Sequence, residues 1–250
     1  MYSVMRRVKE TKQPRGGYIK PKDFKVFELN DGKVLFDEEN IQAGLIGLAV
    51  DYLTRLTMGS SLENTFRISL RGASNVKESG YAKELLNEIH GLDNKSIENT
   101  CKLVGFDVAF RSGISGYKPV HTIQPDSYTI SNIRTMVERS MTFINNYGPI
   151  VKDGFTFEGG YTNIISSGDG DFLTRNALWD FKVSKNEPTN KHTLQLLIYY
   201  LMGLHSIHDE FQEVDKIGIF NPKLNKVYVR EIKDIPSEII TEVSKDVIGY

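Results

Sequence analysis

The sequence has little cysteine and no long apolar run. A single cysteine, Cys101, stands among 250 residues, which excludes an internal disulfide framework and any multi-cysteine zinc or iron–sulfur site. Its helical spacing from Ile97 and Val104 predicts a place in the core. The chain contains no stretch of about 18 apolar residues, so no membrane span is predicted. The first residues, "MYSVMRRVKE", have no apolar signal core. We therefore expect a cytoplasmic protein with no membrane partner.

Several motifs of common enzyme classes are also absent. The chain has no G-x-x-x-x-G-K-[ST], so no nucleotide cofactor is expected, and it has no G-x-S-x-G nucleophile elbow. Asp169-Gly-Asp171 begins like a calcium-binding EF-hand loop, but Leu173 occupies the next ligand position. The five histidines show no metal-binding spacing supported by a carboxylate, so surface or core packing is the simpler interpretation of each.

The net charge of −1 gives no overall attraction to nucleic acid, but the charge is uneven. Residues 6–25 contain eight basic and two acidic residues, a net +6 that leaves −7 for the rest of the chain. Such a basic arm can contact phosphates or can be a solvated terminal segment, and charge alone does not separate the two. The candidate phosphate-contacting residues are Arg6, Arg7, Lys9, Lys12, Arg15 and, further along the chain, Lys185.

The pattern of the chain predicts one α/β domain over residues 1–250. Residues 1–38 are expected to form the basic arm and a hairpin across Asp31-Gly32. Apolar residues at helical spacing predict a helix over 39–58, and residues 60–150 are predicted to be a helical embellishment with helices near 75–90, 96–110 and 129–146.

Residues 151–250 are expected to form the core of the domain. Phe, Tyr, Ile and Trp in period-two stretches over 155–183 predict strands. "NKHTLQLLIYYLMGLHS" predicts a buried helix, "KIGIF" and "KVYVREI" predict two more strands, and a last helix is expected from Pro236 to near Ile248.

Within "ALWDFKV", the strand period places Leu178, Asp180 and Lys182 on one face and the aromatic residues on the other. [Asp/Glu]-x-Lys occurs six times in the chain, so the spacing alone is weak evidence. Because the aromatic face must be buried, we expect the charged face to meet a cleft or solvent.

If Arg175-Asn176 form a two-residue turn, residue 172 pairs with 179, and Asp171 lies opposite Asp180. Two facing carboxylates repel unless a positive charge lies between them, and a divalent cation is a natural candidate.

A further polar pair lies on the predicted buried helix. Gln195 and Tyr199 are four residues apart and therefore share one helix face. They can be site residues or a satisfied buried amide beside a core-edge tyrosine, and the second interpretation is the commoner one for such a pair alone.

Taken in order, Gly168-x-x-Asp171, Asp180-Phe181-Lys182 and Gln195-x-x-x-Tyr199 resemble the GxxD, DxK and QxxxY motifs of the RecB-like branch of the PD-(D/E)xK nuclease superfamily. The resemblance covers about residues 155–230. It implies a restriction-endonuclease-like core, a mixed central sheet flanked by helices, that carries a helical insertion in its N-terminal half.

The resemblance also implies roles for these residues. Asp171, Asp180 and the backbone carbonyl of Phe181 would bind one or two Mg²⁺ or Mn²⁺ ions, and Lys182 would orient the attacking water and stabilise charge. Gln195 and Tyr199 would support that arrangement. The family carries a further acidic residue or histidine on an early helix, for which Asp51 after Gly47 is the candidate. Glu63 and Glu158 are the alternatives.

Two functions from different classes are consistent with this pattern. The first is a metal-dependent nuclease that hydrolyses phosphodiester bonds by cation-activated water, with DNA favoured over RNA as the substrate. The second is an inactive nuclease-like fold that only binds nucleic acid or protein. Such a fold would be expected to have lost an aspartate or the lysine, and this chain retains all three. A third interpretation, an α/β protein with chance motifs, must explain three coincidences in one segment.

Overall fold

The computed structural model describes residues 1–250. Their contacts divide the chain into two compact units, one of Met1–Leu29 with Phe143–Tyr250 and one of Asn30–Thr142. The helical unit therefore begins earlier than the embellishment expected over 60–150. No helix combines the length and the apolar character that a membrane crossing requires.

The elements follow one another along the chain as follows. The first half contains β1 (Tyr2–Ser3), α1 (Val4–Glu10), β2 (Lys25–Glu28), α2 (Ala43–Thr57), α3 (Leu62–Thr65), α4 (Arg67–Asn75), α5 (Ser79–Asn87), α6 (Asn94–Val104), α7 (Asp107–Arg111) and α8 (Ser127–Tyr147). The second half contains β3 (Ile150–Phe155), β4 (Ile165–Ser167), β5 (Gly170–Thr174), β6 (Ala177–Phe181), α9 (Asn190–Leu204), β7 (Lys216–Asn221), β8 (Lys226–Glu231) and α10 (Ser237–Glu242), which continues as a π-helical turn, Val243–Ile248.

A six-stranded mixed sheet organises the first unit. Its order is β2-β8-β7-β6-β5-β3, and every pair is antiparallel except β6 with β7. α9 connects these two parallel strands, as a parallel pair requires a crossover. β1 and β4 form a separate two-stranded parallel ladder. The predicted α/β class with a mixed sheet flanked by helices is confirmed.

Both faces of the central strands are covered. On one face, Leu178 of β6 packs in a core with the apolar residues of α9, including Leu194 and Leu197. On the other face, the ring of Trp179 meets the rings of Phe143 and Tyr147 at the end of α8. Because both faces are covered, the five residues of β6 are buried or nearly so.

The helical unit has a polar centre. The carboxylate of Asp107 accepts hydrogen bonds from the hydroxyls of Tyr52 (2.6 Å) and Ser69 (2.5 Å), and burial raises its pKa. α4 and α7 pass so closely that a Cβ at Gly72 would lie 2.0 Å from the carbonyl oxygen of Phe106. A residue larger than glycine at position 72 would therefore force these helices apart.

The predicted hairpin across Asp31-Gly32 is wrong. β2 pairs with β8, and no strand follows Gly32. Asp31 instead binds the guanidinium of the buried Arg139 through two hydrogen bonds of 2.7 and 3.1 Å. Arg139 also holds down the pKa of the Asp31 carboxyl. The need of a buried guanidinium for a carboxylate outweighs the turn preference of Asp-Gly.

The predicted helices are mostly present with different bounds. The expected helices over 39–58 and 129–146 correspond to α2 and α8, and the last helix begins at Ser237 as expected. The segment near 96–110 is two helices, α6 and α7, and the sequence interpretation missed α3 and α4. Cys101 is buried, as expected.

Candidate active site

The hairpin of β5 and β6 has the register that the sequence predicted. Phe172 pairs with Trp179 and Thr174 with Ala177, so Arg175 and Asn176 form the two-residue turn. The indole N–H of Trp179 donates to the Thr174 hydroxyl (3.1 Å), which ties the two strands together beside the turn. This short hairpin fixes where Asp171 and Asp180 lie, at its open end.

Asp171 is held by the backbone of the neighbouring strand. Its Oδ2 accepts a hydrogen bond from the N–H of Phe181 at 2.8 Å. Gly168, three residues earlier, lies against Val4 of α1 and Tyr199 of α9, where an added Cβ would come within 2.8 and 3.3 Å of their side-chain atoms. The glycine of the Gly168-x-x-Asp171 motif therefore permits a close approach of the loop to the two helices.

Asp180 is buried, contrary to the expectation that the charged face of β6 meets a cleft or solvent. Its side chain is 2% exposed, while that of Lys182 is 24% exposed. The charged face is the face covered by α9, and only Lys182, beyond the end of β6, reaches partly into solvent. The strand alternation was predicted correctly, but the cover provided by α9 was not.

The ammonium of Lys182 offsets the charge of Asp180. Its Nζ lies 2.9 Å from Oδ1 and 2.8 Å from Oδ2 of that carboxylate. Only the contact to Oδ1 has hydrogen-bonding geometry, so Oδ2 is a buried oxygen with no hydrogen bond. Oδ2 thus has an ion-pair contact with the ammonium but accepts no hydrogen bond.

The environment moves the pKa values of both groups. Burial raises the pKa of Asp180, and the charge of Lys182 opposes that rise. Burial acts to lower the pKa of Lys182, but attraction to Asp180 and Asp171 outweighs it, so this pKa is raised. Lys182 therefore stays cationic at neutral pH and is attracted electrostatically to both carboxylates.

Gln195 and Tyr199 are brought to the same place by α9. Both are 4% exposed, and the Gln195 amide donates to the Tyr199 hydroxyl at 3.0 Å. Burial, followed by the charges of Asp180 and Asp171, raises the pKa of Tyr199. The phenol is therefore neutral at physiological pH and close enough to both carboxylates for their charges to act on it.

Comparisons of the chain with models of protein families, with curated proteins and with solved structures found no match.

Two residues that sequence reasoning did not single out also belong to this region. Asn221, directly at the end of β7, accepts from the N–H of Ser184 (3.4 Å) and donates to its carbonyl (2.8 Å), which fixes the loop after Lys182. The sequence feature that could have identified Asn221 is its position at the end of β7, the strand that runs parallel to β6. His192 lies three residues before Gln195, and burial together with the charge of Lys182 lowers its pKa. The feature that could have identified His192 is its spacing of three residues from Gln195, which places both side chains on one face of the helix.

The basic arm is not a free segment. Val4 and Val8 of α1 are buried in the core, and the guanidinium of Arg7 donates to the carbonyls of Val247 (2.8 Å) and Asp246 (2.6 Å). Arg6 forms an ion pair with Glu10 on the exposed side of α1. The other predicted phosphate-contacting residues, Lys9, Lys12, Arg15 and Lys185, are exposed.

Asp51, the candidate for the acidic residue on an early helix, forms an ion pair within its own helix. Asp51 lies on α2, in the Asn30–Thr142 unit, where it pairs with Arg55 at 3.0 Å. Of the two alternatives, Glu63 lies in the first turn of α3, and Glu158 accepts hydrogen bonds from the hydroxyl of Thr156.

The donor set suits a small hard cation. No group of three or more His, Cys, Asp or Glu side chains could hold a metal ion. However, Mg²⁺ commonly uses only one or two carboxylates and keeps several waters. Asp171 and Asp180, whose Oδ2 accepts no hydrogen bond, fit that pattern, and the backbone carbonyl of Phe181 would supply a further oxygen ligand.

Proposed function

We propose that this chain is a metal-dependent nuclease that hydrolyses phosphodiester bonds, with DNA as the favoured substrate. Its first unit would then be a restriction-endonuclease-like core of the PD-(D/E)xK type. Support comes from the succession Asp171, Asp180, Lys182, Gln195 and Tyr199 on β5, β6 and α9, together with the electrostatic influence that both carboxylates exert on Lys182 and Tyr199.

The observation that carries the proposal is the unsatisfied carboxylate oxygen of Asp180. A buried ion pair that serves only stability needs its remaining oxygens satisfied, because each unpaired buried acceptor costs free energy. Here Oδ2 is fully buried and accepts no hydrogen bond, although the Lys182 ammonium lies 2.8 Å from it. A buried acceptor with spare capacity, near a second carboxylate, is what a cation-binding site requires.

Asp171 and Asp180 would hold Mg²⁺ or Mn²⁺, which when bound supplies an activated water and neutralises charge on the phosphate. The N–H of Phe181 fixes the orientation of Asp171. The hydrogen bond from Lys182 and the cover of α9 fix Asp180. The chain thus holds its carboxylates in place before any substrate arrives, which lowers the cost of organising the site.

Lys182 would act on the scissile phosphate. Its raised pKa keeps the ammonium charged, and its side chain is the part of the pair that reaches solvent. It can therefore turn from Asp180 to a phosphate oxygen and stabilise the charge that grows there. The neutral Tyr199, which receives a hydrogen bond from Gln195, keeps its own proton available for a phosphate oxygen or a water.

A cleavage assay with a matched lysine control tests the proposal. Plasmid, linear duplex DNA, single-stranded DNA and RNA are incubated with Mg²⁺, Mn²⁺ or EDTA. Lys182→Ala is compared with Lys233→Ala, which removes the lysine of another [Asp/Glu]-x-Lys segment, 3.9 Å from Glu231 and 79% exposed.

We expect cleavage only with a divalent cation. Lys182→Ala should lower the rate by about 10²-fold or more, the usual effect of removing one transition-state donor, and Lys233→Ala should not change it. Cleavage that persists in EDTA, or equal rates for the two variants, would contradict the proposal.

A further inference from the structure

A cleft lies on the opposite face of the sheet from Asp180. It has a volume of about 380 Å³ and is lined by residues from β2, β6, β7, β8 and the end of α8. Trp179 faces this cleft, and as the neighbour of Asp180 on β6 it points to the other side of the strand. The cleft is therefore distinct from the proposed cleavage site.

Three aromatic rings line this cleft: Phe27, Tyr147 and Trp179. Phe27 lies on the edge strand β2, all of whose residues are exposed, and is itself 47% exposed. The rings of Tyr147 and Trp179 meet edge to face at a centroid distance of 5.2 Å. Phe27 is half-exposed and Tyr147 partly exposed, whereas Trp179 is only 3% exposed, so the first two rings offer the apolar surface on which another ring can stack.

The polar side chains of the cleft are two amides, two lysines and one glutamate. Asn146 and Asn176 provide amide groups, and Lys25 and Lys216 provide positive charge. Glu231 is the one acidic lining residue and has Lys233 at 3.9 Å, while Lys216 has Asp215 at 3.4 Å. Lys25 also ends the segment 6–25, which carries a net charge of +6.

We propose that this cleft binds the base and phosphate of a nucleotide, held as part of a single-stranded nucleic acid. Aromatic surfaces that stack bases, combined with cations that attract the backbone, are the means by which proteins hold single strands without sequence preference. The amides can form hydrogen bonds with the edges of a splayed base. The choice of nucleic acid rests on the proposed function. A free mononucleotide has the same chemistry, so the test includes both sources.

Trp179 allows the binding to be measured directly, because it is the only tryptophan of the chain. The full-length protein is titrated in EDTA, where no cleavage occurs, with a short single-stranded oligothymidylate and separately with a thymidine monophosphate. Quenching of tryptophan fluorescence reports a base in the cleft, and the titration gives the affinity. The variants are Phe27→Ala, Lys25→Ala and the control Phe36→Ala, which removes a ring with the same 47% exposure elsewhere in the chain.

We expect quenching by the oligonucleotide, with an affinity that falls at least fivefold in Phe27→Ala, since one stacked base contributes about 1 kcal/mol or more. Lys25→Ala should reduce the salt dependence of binding, and Phe36→Ala should bind like the wild type. Quenching by the monophosphate as strong as that by the oligonucleotide would assign the cleft to free nucleotides.

Two results would overturn the proposal. The first is the absence of quenching, or equal affinities for Phe27→Ala and Phe36→Ala. The second is quenching that is lost in Lys182→Ala but kept in Phe27→Ala, which would assign the ligand to the Asp180 face. Because all titrations are done without metal, a protein that binds here but never cleaves would contradict only the proposed nuclease activity.

Discussion

Tyr199 and Tyr200 are adjacent residues of α9 with different surroundings. The hydroxyl of Tyr199 accepts a hydrogen bond from the buried amide of Gln195 and lies within the influence of Asp171 and Asp180. Tyr200 is 9% exposed, and burial alone raises its pKa. This pair therefore separates the effect of a hydroxyl at the site from that of a buried tyrosine elsewhere on the same helix.

Tyr199→Phe should lower both stability and cleavage. The Gln195 amide loses its partner, which costs about 1–3 kcal/mol of unfolding free energy, and a misplaced Gln195 should slow cleavage by about tenfold or more. Tyr200→Phe should cost only ~0.5 kcal/mol. Denaturant unfolding and single-turnover cleavage of both variants check this. Equal stability and equal rates for the two would show that the Gln195–Tyr199 pair is ordinary core packing.

At the scale of elements, the features predicted correctly from the sequence are those that residues close together in the chain determine. The register of β5 and β6 followed from a two-residue turn and period-two alternation, both of which are local. The partner of β2 was missed because β8 lies about 200 residues further along the chain, and the local signal at Asp31-Gly32 pointed elsewhere. The burial of Asp180 was missed for another reason: period-two alternation assigns residues to the two faces of β6, but it does not show that α9, a helix that was itself predicted, packs on the charged face.

The basic segment was predicted as one element, and the structure divides it. Arg7 donates to the carbonyls of Asp246 and Val247 at the chain's last helical turn, so its role is structural. Lys9, Lys12 and Arg15 are exposed and have no such contact in the structure. The sequence shows the charges of these residues, but it does not show which side chain forms hydrogen bonds with backbone carbonyls far along the chain.

Replacing Lys9, Lys12 and Arg15 together by Gln should weaken binding to single-stranded DNA and flatten its salt dependence. Each lost phosphate contact lowers the slope of log K against log salt by about 0.7. Arg7→Gln is the control, and it should lower stability by about 1–3 kcal/mol while leaving the slope unchanged. Binding measured at several salt concentrations in EDTA checks both. An unchanged slope in the triple variant would restrict these residues to solubility.

At the scale of the whole molecule, the chain has two units and an uneven charge. The first unit contains the sheet, the candidate active site, the nucleotide cleft and the basic segment. The second is helical, and its buried Asp107 is satisfied by Tyr52 and Ser69. Asp180 differs from Asp107 in that one of its oxygens is left without a hydrogen bond. That difference is the basis for regarding Asp180 as a functional group.

The most direct test of this account is metal-linked stability, because a cation site is stabilised by the metal and a purely structural ion pair is not. Wild type, Asp171→Asn, Asp180→Asn and the exposed control Asp153→Asn are melted in EDTA and in Mn²⁺. A cation that binds only the folded protein at a hundred times its dissociation constant adds about 2.7 kcal/mol. Wild type and Asp153→Asn should show such a gain, and Asp171→Asn and Asp180→Asn should lose most of it. If Mn²⁺ stabilises all four proteins equally or none of them, Asp171 and Asp180 do not form a metal site.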